Sequence, residues 1–307
     1  MFKSGYVGVV GKPNAGKSTL INKLVGYKVA ITTPKPQTTR FNIKGIVTSE
    51  TSQIVFVDTP GVHMPKHKLG EYMMKGVSNA VNETNLIVYL VDCTHTRIDE
   101  AAERVIKDIV KLNKKVILCL NKIDKIKKEE ILRIIEMYNN YVQKLNFEFI
   151  AIVPISVYKV DGLDVLVKVI EDNLDEGEAL FGSDEITDMT EREIAEECIR
   201  EKILNNLNEE VPHGITVEVD TFKEITNING DLVYVINANV ICNKDTYKPM
   251  VIGKDGSMLR HITNSSKIDL EKTLDTKVNL KLWVKVRENW AQNENYLKNV
   301  KFRNLDK

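Results

Sequence analysis

The chain has 307 residues, of which 43% are hydrophobic and 28% charged, and its 43 Lys and Arg balance its 43 Asp and Glu. This composition is typical of a soluble globular protein, is long enough for two domains, and excludes a disordered or collagen-like chain. The zero net charge gives no global indication of a nucleic-acid partner, although residues 265–307 are locally basic, with 10 Lys and Arg against 6 Asp and Glu.

The cysteines and the apolar runs indicate the compartment. The four cysteines, Cys93, Cys119, Cys198 and Cys242, are far apart and form no CxxC pair. They predict buried, reduced thiols in place of a disulfide framework or a zinc site. The longest apolar run, Leu86–Val91, is far shorter than the roughly 18–20 residues that span a bilayer, and the N-terminus lacks a signal-peptide pattern. We expect a cytoplasmic protein whose membrane contact is at most peripheral.

The first motif lies between a predicted strand and a predicted helix. An apolar run ending at Val10 leads into GKPNAGKS, residues 11–18, which matches GxxxxGK[ST] in the context that this motif requires. Its glycines let successive N–H groups and the helix N-terminus face phosphate oxygens. Lys17 would reach the β- and γ-phosphates, and Ser18 would offer its hydroxyl to Mg²⁺. The predicted phosphate-binding residues are Gly11, Asn14, Ala15, Gly16, Lys17, Ser18 and Thr19.

Two further stretches are expected to sense the γ-phosphate. A proline-containing loop at residues 28–40 is followed by two β-rich segments, Phe41–Thr48 and Gln53–Asp58, which predict a hairpin. Asp58 ends the second segment and can hold the metal through a water molecule. Gly61 of the sequence DTPG can offer its N–H to a γ-phosphate and release it after hydrolysis.

The third motif indicates the base. A predicted strand at Val116–Leu120 leads directly into NKID, residues 121–124. The carboxylate of Asp124 can accept the N1–H and 2-amino protons of guanine, which adenine cannot offer, while Asn121 and Lys122 would brace the loop and pack on the base. The alternation of strands and helices predicts a doubly wound, mostly parallel α/β sheet with its ligand at the carboxyl ends of the strands.

The second half predicts a smaller α+β domain. Residues 176–190 are acidic, are broken by glycines and show no clear period, which is typical of a linker. Thr190 and Glu193 form a predicted capping box at the start of a helix, and two segments with period-two alternation follow. The predicted limits are residues 1–178 for the first domain, 179–190 for the linker and 191–307 for the second domain.

A second glycine-containing loop, GKDG at residues 253–256, lies between two short apolar segments after these strands. In this position it resembles the loop of a KH domain, whose backbone closes on the sugar-phosphate of about four nucleotides. The positive charge of Lys254 would favour phosphate, whereas Asp255 would weaken binding. The alternative is a small protein-interaction domain with a glycine turn. The predicted RNA-binding residues are Met250, Ile252, Gly253, Lys254, Asp255 and Gly256.

The motifs GKPNAGKS, PQTTR, DTPG, NKID and ISV have the order found in translation-factor-class GTPases, and GxPNxGKS with TTR resembles the Era and TrmE-like branch. In the second half, VIGKDGSMLRHI and LWVKV are similar to the Era-type GTPases, whose second domain is a type II KH domain. The resemblance implies a monomeric, slow GTPase that uses GTP, GDP and Mg²⁺. It also implies binding of single-stranded small-subunit (16S) ribosomal RNA near its 3′ end, a role in 30S subunit assembly, peripheral contact with the inner face of the cell membrane, and no DNA partner.

The same resemblance assigns further residues around the nucleotide. Thr39 is implied as the γ-phosphate and Mg²⁺ sensor of switch I, with the neighbouring Thr38 as the alternative. Ser156 and Val157 match the last motif, in which a backbone N–H meets the guanine O6. The family usually has Ser-Ala at these two positions, but a backbone contact tolerates the change.

One departure from Ras-like enzymes concerns the attacking water. Val62, in switch II with Asp58 and Gly61, stands where those enzymes carry a water-orienting glutamine. The resemblance therefore implies slow intrinsic turnover and another means of placing the water. In some relatives the residue that matches Asn14 helps to hold K⁺, which makes K⁺ a candidate cofactor.

Two other functional classes are alternatives to an Era-type GTPase. A TrmE-type tRNA-modification protein is disfavoured because the GTPase motifs are N-terminal here and the chain has no terminal cysteine. A GTP-regulated switch whose second domain binds protein instead of RNA is the remaining alternative.

Overall fold

The computed structural model describes residues 1–35, 38–61, 68–208 and 210–298. The described residues fall into two compact units. The first unit comprises residues 1–30, 39–61 and 70–188, and the second comprises residues 31–35, 38, 68–69, 189–208 and 210–298. Val62, predicted in switch II, lies outside the described residues.

The first unit is built on a six-stranded sheet with the strand order β2-β3-β1-β4-β5-β6. Its strands are β1 (Lys3–Val10), β2 (Ile43–Thr48), β3 (Ser52–Asp58), β4 (Leu86–Asp92), β5 (Lys115–Asn121) and β6 (Ala151–Pro154). The β2–β3 pair is antiparallel and the other pairs are parallel. The central strands are nearly continuous apolar runs because helices cover both faces of such a sheet. The predicted doubly wound fold is confirmed.

In the part of the chain that the structure describes, five helices accompany this sheet. They are α1 (Lys17–Val25), α2 (Lys68–Glu83), α3 (Glu100–Lys111), α4 (Lys128–Gln143) and α5 (Leu163–Asn173). Helix α1 begins directly at the end of the first glycine loop, so its unpaired N–H groups face the carboxyl edge of the sheet. The parallel strands end on that same edge, which brings together loops that are far apart in sequence.

Residues predicted as a linker lie along the β2–β3 side of the first unit. The backbone N–H groups of Leu180 and Phe181 donate to Oε1 of Gln53 at 2.6 and 2.9 Å, and the Ile46 N–H donates to the carbonyl of Ile186 at 2.9 Å. Gln53 is completely buried. These hydrogen bonds satisfy polar groups that would otherwise be bonded to water. Residues 179–188 therefore belong to the first compact unit.

The second unit contains a three-stranded sheet with the order β7-β8-β9. Its elements are α6 (Glu191–Asn206), β7 (Ile215–Thr226), β8 (Leu232–Cys242), α7 (Tyr247–Ile252), α8 (Ser257–Thr273), β9 (Lys277–Val286) and a short helix α9 (Glu294–Tyr296). The predicted capping box is present, since Thr190 Oγ1 accepts from the Glu193 N–H and the Glu193 carboxylate accepts from the Thr190 N–H. The order α-β-β-α-α-β is that of a type II KH domain, as predicted.

Each of the four cysteines is a buried thiol without a disulfide partner. Burial raises the pKa of Cys93 to about 12 and that of Cys242 to about 11, so both are protonated at neutral pH. Every helix among the described residues is too short or too polar to span a bilayer.

Candidate nucleotide site and KH loop

The first glycine loop curls tightly between β1 and α1. Asn14 and Gly16 have φ angles of 63° and 104°, which place both in the left-handed region. A side chain at Gly16 would meet Nδ2 of Asn121 at 2.5 Å, and one at Gly11 would overlap the carbonyl oxygen of Leu90. Only glycine allows the backbone to approach its neighbours so closely at these two positions.

Lys17 is held over this loop. Its Nζ donates to the carbonyls of Gly11 at 3.1 Å and Lys12 at 3.0 Å, and the residue is only 7% exposed. Burial lowers the pKa of Lys17, while the nearby carboxylate of Asp58 acts in the opposite direction. The ammonium group is therefore fixed at the loop before any phosphate arrives, which limits the ordering cost of binding.

Three side chains from separate segments converge beside Lys17. Ser18 Oγ donates to Oδ2 of Asp58 at 2.7 Å and lies 3.0 Å from Thr39 Oγ1, and Thr39 Oγ1 donates to the same carboxylate oxygen at 3.2 Å. The other oxygen, Asp58 Oδ1, is buried without a hydrogen-bond partner among the described residues. Burial raises the pKa of Asp58, opposed by Lys17 and by the two hydroxyl hydrogen bonds. Two hydroxyls and a carboxylate with an unpaired oxygen form a donor set that fits Mg²⁺.

The structure separates the two candidate threonines. Thr38 Oγ1 bonds to the Lys35 carbonyl at 2.7 Å, and its own carbonyl accepts from Arg200 Nη2 at 2.6 Å. These three residues all belong to the second unit. The side chain of Thr39, by contrast, faces Ser18 in the first unit. The hydroxyl at the metal-ligand cluster is that of Thr39.

The turn after β3 lies against the first glycine loop. A Cβ at Gly61 would approach Cγ of Pro13 to 3.0 Å, and Thr59 Oγ1 donates to the Val9 carbonyl at 2.9 Å. The Gly61 backbone is therefore close to the loop on the side of Asp58, where a γ-phosphate would lie.

Asn121 connects three loops at the other end of the site. Its Nδ2 donates to the carbonyl of Ala15 at 2.8 Å, and its Oδ1 accepts from the N–H groups of Lys122 at 2.8 Å and Val157 at 3.2 Å. Asn121 is 3% exposed. Because these three hydrogen bonds reach the phosphate loop, the NKID loop and the loop at Val157, the buried amide of Asn121 fixes the phosphate-binding and base-binding loops relative to each other.

Asp124 lies at the edge of this corner. Ser156 Oγ donates to its Oδ1 at 2.5 Å and in turn accepts from the Lys159 N–H at 3.1 Å. The Ser156 hydroxyl therefore orients the Asp124 carboxylate, and Asp124 is exposed toward solvent. Sequence reasoning assigned only the backbone of Ser156, and the structure adds a contact through its side chain.

Asp92 was missed as a site residue. Its Oδ2 pairs with Lys122 Nζ at 2.5 Å, and Lys122 Nζ also donates to the Asn14 carbonyl at 3.0 Å. Burial alone would raise the pKa of Asp92, but hydrogen bonds from Lys122 and Thr94 prevail and hold it below its usual value. The sequence shows only that Asp92 directly follows the apolar run Leu86–Val91, and the structure adds that Asp92 pairs in register with Asn121 on the neighbouring strand β5.

The second glycine loop joins α7 to α8. Gly253 and Gly256 have φ angles of 73° and 74°, and Asp255 has a φ of 50°. A Cβ at Gly253 would lie 2.6 Å from Cβ of Met258. Lys254 and Asp255 are exposed, as is Met250 at 53%, so the loop and one side of α7 present backbone and side chains to solvent.

The fold and these loops define a P-loop GTPase unit followed by a KH unit. Family models agree: residues 6–122 match the model described as 50S ribosome-binding GTPase, and residues 210–291 match the KH domain model. The chain is 43% identical over 302 residues to GTPase Era of Ruminiclostridium cellulolyticum, covering 98% of both chains. It is 44% identical over 300 residues to GTPase Era of Clostridioides difficile, covering 97% of this chain and 98% of the relative.

Solved structures give the same result. A variant of Aquifex aeolicus Era bound to GDP·AlF4⁻ superposes with a TM-score of 0.92 at 38% identity, covering 98% of this chain and 99% of that one. Era in complex with MgGDPNP and nucleotides 1506–1542 of 16S ribosomal RNA superposes with a TM-score of 0.91 at 38% identity and the same coverage. The chain belongs to the Era GTPase family, and it is a GTP hydrolase with a C-terminal KH domain. The predicted family, fold class and enzyme class are confirmed.

Proposed function

We propose that this GTPase is a nucleotide-gated factor that binds single-stranded small-subunit ribosomal RNA, near the 3′ end of 16S RNA, during assembly of the 30S subunit. The observation that carries the proposal is the presence in one chain of a complete nucleotide site and an exposed GxxG loop. An Era relative with the same two-unit chain is seen with MgGDPNP and a 16S RNA segment, which supports the choice of RNA.

The phosphate end of the site is assigned as follows. Residues 11–19 surround the phosphates with backbone N–H groups, Lys17 neutralises the β- and γ-oxygens, and Gly61 donates its N–H to the γ-phosphate. Ser18 and Thr39 hold Mg²⁺ directly and Asp58 holds it through water. The metal, when bound, neutralises charge that develops on the phosphate oxygens.

Guanine selection is assigned to the opposite end. Asp124 accepts two hydrogen bonds from guanine, Lys122 packs on the base, and the backbone N–H groups at Ser156 and Val157 meet the O6 atom. Adenine would leave the Asp124 carboxylate unpaired, which is costly enough for strong discrimination. Loss of the γ-phosphate would release Thr39 and Gly61 together, and this release is the proposed signal to the RNA-binding unit.

A monovalent cation is proposed to assist hydrolysis. Val62 has no polar group to orient water, and Asn14 lies in the phosphate loop with its backbone in the left-handed region. K⁺ beside Asn14 would supply a positive charge for the transition state. Equal hydrolysis rates in Na⁺ and K⁺ buffers would reject this assignment.

The RNA assignment rests on residues 250–256. The glycines let phosphates approach the backbone, while Met250 and Ile252 contact bases. The test is RNA affinity of the full chain, in GTP-analogue and GDP forms, for the native sequence and for Gly253→Asp. We expect loss of binding in the variant and tighter binding in the GTP form of the native chain.

Gly230→Asp is the matched control for that experiment. Gly230 also has a positive φ, 86°, but nothing lies within 4 Å of its Cβ position. Gly230→Asp therefore introduces the same backbone strain outside the GxxG loop, and we expect this variant to bind RNA normally. Absence of RNA binding by the native chain in both nucleotide states would reject the proposal in favour of a second unit that binds protein.

The remaining assignments come from the sequence and from the family resemblance. We propose domain limits of 1–178 and 191–307, a monomeric state, cytoplasmic location and peripheral contact with the inner face of the cell membrane. Sedimentation of the purified chain with and without anionic vesicles tests the monomeric state and the membrane contact, because a monomer that stays in the supernatant would remove the membrane assignment.

A further inference from the structure

Helices α6, α7 and α8 pack on one face of the three-stranded sheet of the second unit, while α9 contacts only the Glu218 end of the other face in the described structure. Along β9, Val278 and Leu280 point into the core with α8 residues Ile262 and Leu270. The alternate β9 residues point to the opposite face and are exposed: Lys277, Asn279, Lys281, Trp283 and Lys285. Because side chains alternate along a strand, these five form one continuous row.

The strand register extends this row across the sheet. Asn279 pairs with Val235 and Lys281 with Asn237 on β8. On β7, Lys223 pairs with Val235 and Thr221 with Asn237. Residues directly opposite on one face lie side by side. We call the resulting surface the open sheet face, comprising Lys223, Val235, Asn237, Asn279, Lys281, Trp283 and Lys285.

The open sheet face is positively charged. Lys223, Lys281 and Lys285 have no ion pair with any residue that the structure describes. Glu218, farther along the same side of β7, is already engaged by Arg287 at 3.5 Å and by the Tyr296 hydroxyl. A face that carries three cations without ion pairs in the described structure, and whose carboxylate Glu218 is already engaged, is complementary to a polyanion.

The lysines of β9 could serve only to protect this edge strand from pairing with other chains, but Trp283 does not fit that role. Lysine on an edge strand prevents pairing with other chains, whereas an exposed aromatic residue favours association. Trp283 is 46% exposed and stands between Lys281 and Lys285 in the row. An aromatic ring flanked by cations and amide side chains is the combination on which single-stranded RNA bases stack while phosphates are neutralised.

We propose that the open sheet face binds a second segment of single-stranded RNA, with a base stacked on Trp283 and phosphates held by Lys281 and Lys285. This inference rests on the proposed RNA binding of the second unit. The GxxG loop joins helices α7 and α8, which pack on the other side of the sheet. An RNA longer than the loop alone can hold would therefore contact both surfaces.

The fluorescence of Trp283 also reports whether RNA is bound at the open sheet face. The other tryptophan, Trp290, is 1% exposed and its Nε1 donates to the Gly214 carbonyl at 3.1 Å. Changes of tryptophan emission on ligand addition therefore come from Trp283. With the full chain in its GTP-analogue form, we expect a single strand of about 24 nucleotides to quench the emission, and one of about 6 nucleotides to bind at the loop without quenching.

The affinity experiment uses the same two RNAs. Trp283→Ala is expected to lower affinity for the long RNA about 10-fold and to leave the short RNA unaffected, since one stacked base is lost. Trp283→Phe should retain most of the affinity without the fluorescence signal. Ile268→Ala, an exposed apolar residue of α8 on the helix side, is the matched control and should bind both RNAs normally.

The lysines are tested through salt dependence. Lys281→Ala should reduce the slope of log affinity against log salt by about 0.7 for the long RNA, whereas Lys272→Ala on α8 should leave it unchanged. Equal affinity of Trp283→Ala and the native chain for the long RNA, with binding still lost in Gly253→Asp, would overturn this inference alone. No binding of either RNA by the native chain would overturn the proposed function as well.

A lipid surface is the other polyanion to be tested. Vesicles of phosphatidylglycerol with phosphatidylcholine, and vesicles of phosphatidylcholine alone, are added to the same samples. A shift of Trp283 emission with the anionic vesicles, and none with the long RNA, would assign the face to membrane and overturn the inference.

Discussion

The two glycine loops of this protein solve similar problems in different ways. In the first loop the functional cation, Lys17, is buried and held by two backbone carbonyls, and Gly16 is packed against Asn121. In the second loop the cation, Lys254, is exposed with Asp255 beside it. Among the described residues, no side-chain hydrogen bond fixes this loop, and its glycines provide space. One loop is rigidly braced and the other is open.

The difference follows from the size of the ligand. A nucleotide is small, so its affinity must come from a few atoms already in place. The first loop is braced internally at Lys17 and by Asn121 of another loop at the Ala15 carbonyl. An RNA strand is long and brings many contacts, so each one contributes little. We therefore expect single substitutions in the first unit to cause large losses of nucleotide affinity or turnover. Single substitutions in the second unit should cause small, additive losses of RNA affinity.

The largest effect is expected from Lys17→Ala. It removes the cation at the β- and γ-phosphates, and loss of one such electrostatic contact costs roughly 100–1,000-fold in turnover. Single-turnover GTP hydrolysis measures the loss, with Lys23→Ala, on the exposed side of α1, as the control. A Lys17→Ala enzyme within a few-fold of the native rate would mean that the buried ammonium has no role at the phosphates.

Asp124→Asn is next. The amide cannot accept both guanine donors, so we expect GTP affinity to fall on the order of 100-fold and the preference for GTP over ITP, which lacks the 2-amino group, to disappear. Competition binding of GTP and ITP gives the ratio. Asp164→Asn, in the first turn of α5, serves as the control. If the GTP-to-ITP ratio survives in Asp124→Asn, guanine is read elsewhere.

Thr39→Ala and Thr38→Ala form a matched pair. Because the Thr39 hydroxyl lies at Ser18 and Asp58 and that of Thr38 does not, only Thr39→Ala should weaken Mg²⁺-dependent binding of a GTP analogue, by about 10-fold, with GDP affinity little changed. Titration of Mg²⁺ against fluorescent nucleotides separates the two. The reverse order of effects would assign the sensor to Thr38.

The smallest effect is expected in the second loop. Lys254→Ala removes one exposed charge from an open surface, so RNA affinity should fall only about 2- to 5-fold and the salt slope by about 0.7. Filter binding at several salt concentrations measures both, beside Lys272→Ala as the control. A loss of RNA affinity as large as that of Gly253→Asp would show that the second loop, like the first, depends on a single charged side chain.

The sequence by itself determined the parts that depend on spacing. GKPNAGKS between an apolar strand and a helix, NKID after another strand, and the Thr190–Glu193 capping box all act within a few residues. Local backbone geometry and short-range hydrogen bonds follow directly from residue type, so the phosphate loop, the base-recognition loop and the order of elements in the KH unit could be predicted.

Only the tertiary structure decided where side chains separated in sequence would meet. It placed Thr39 at Asp58 and turned Thr38 toward Arg200, joined Asp92 to Lys122, and set residues 179–188 against Gln53. Neighbouring threonines have the same local propensities, and only long-range packing distinguishes them. The open sheet face arises likewise, because a period-two pattern shows that two faces exist, while the placement of the helices decides which of them remains exposed.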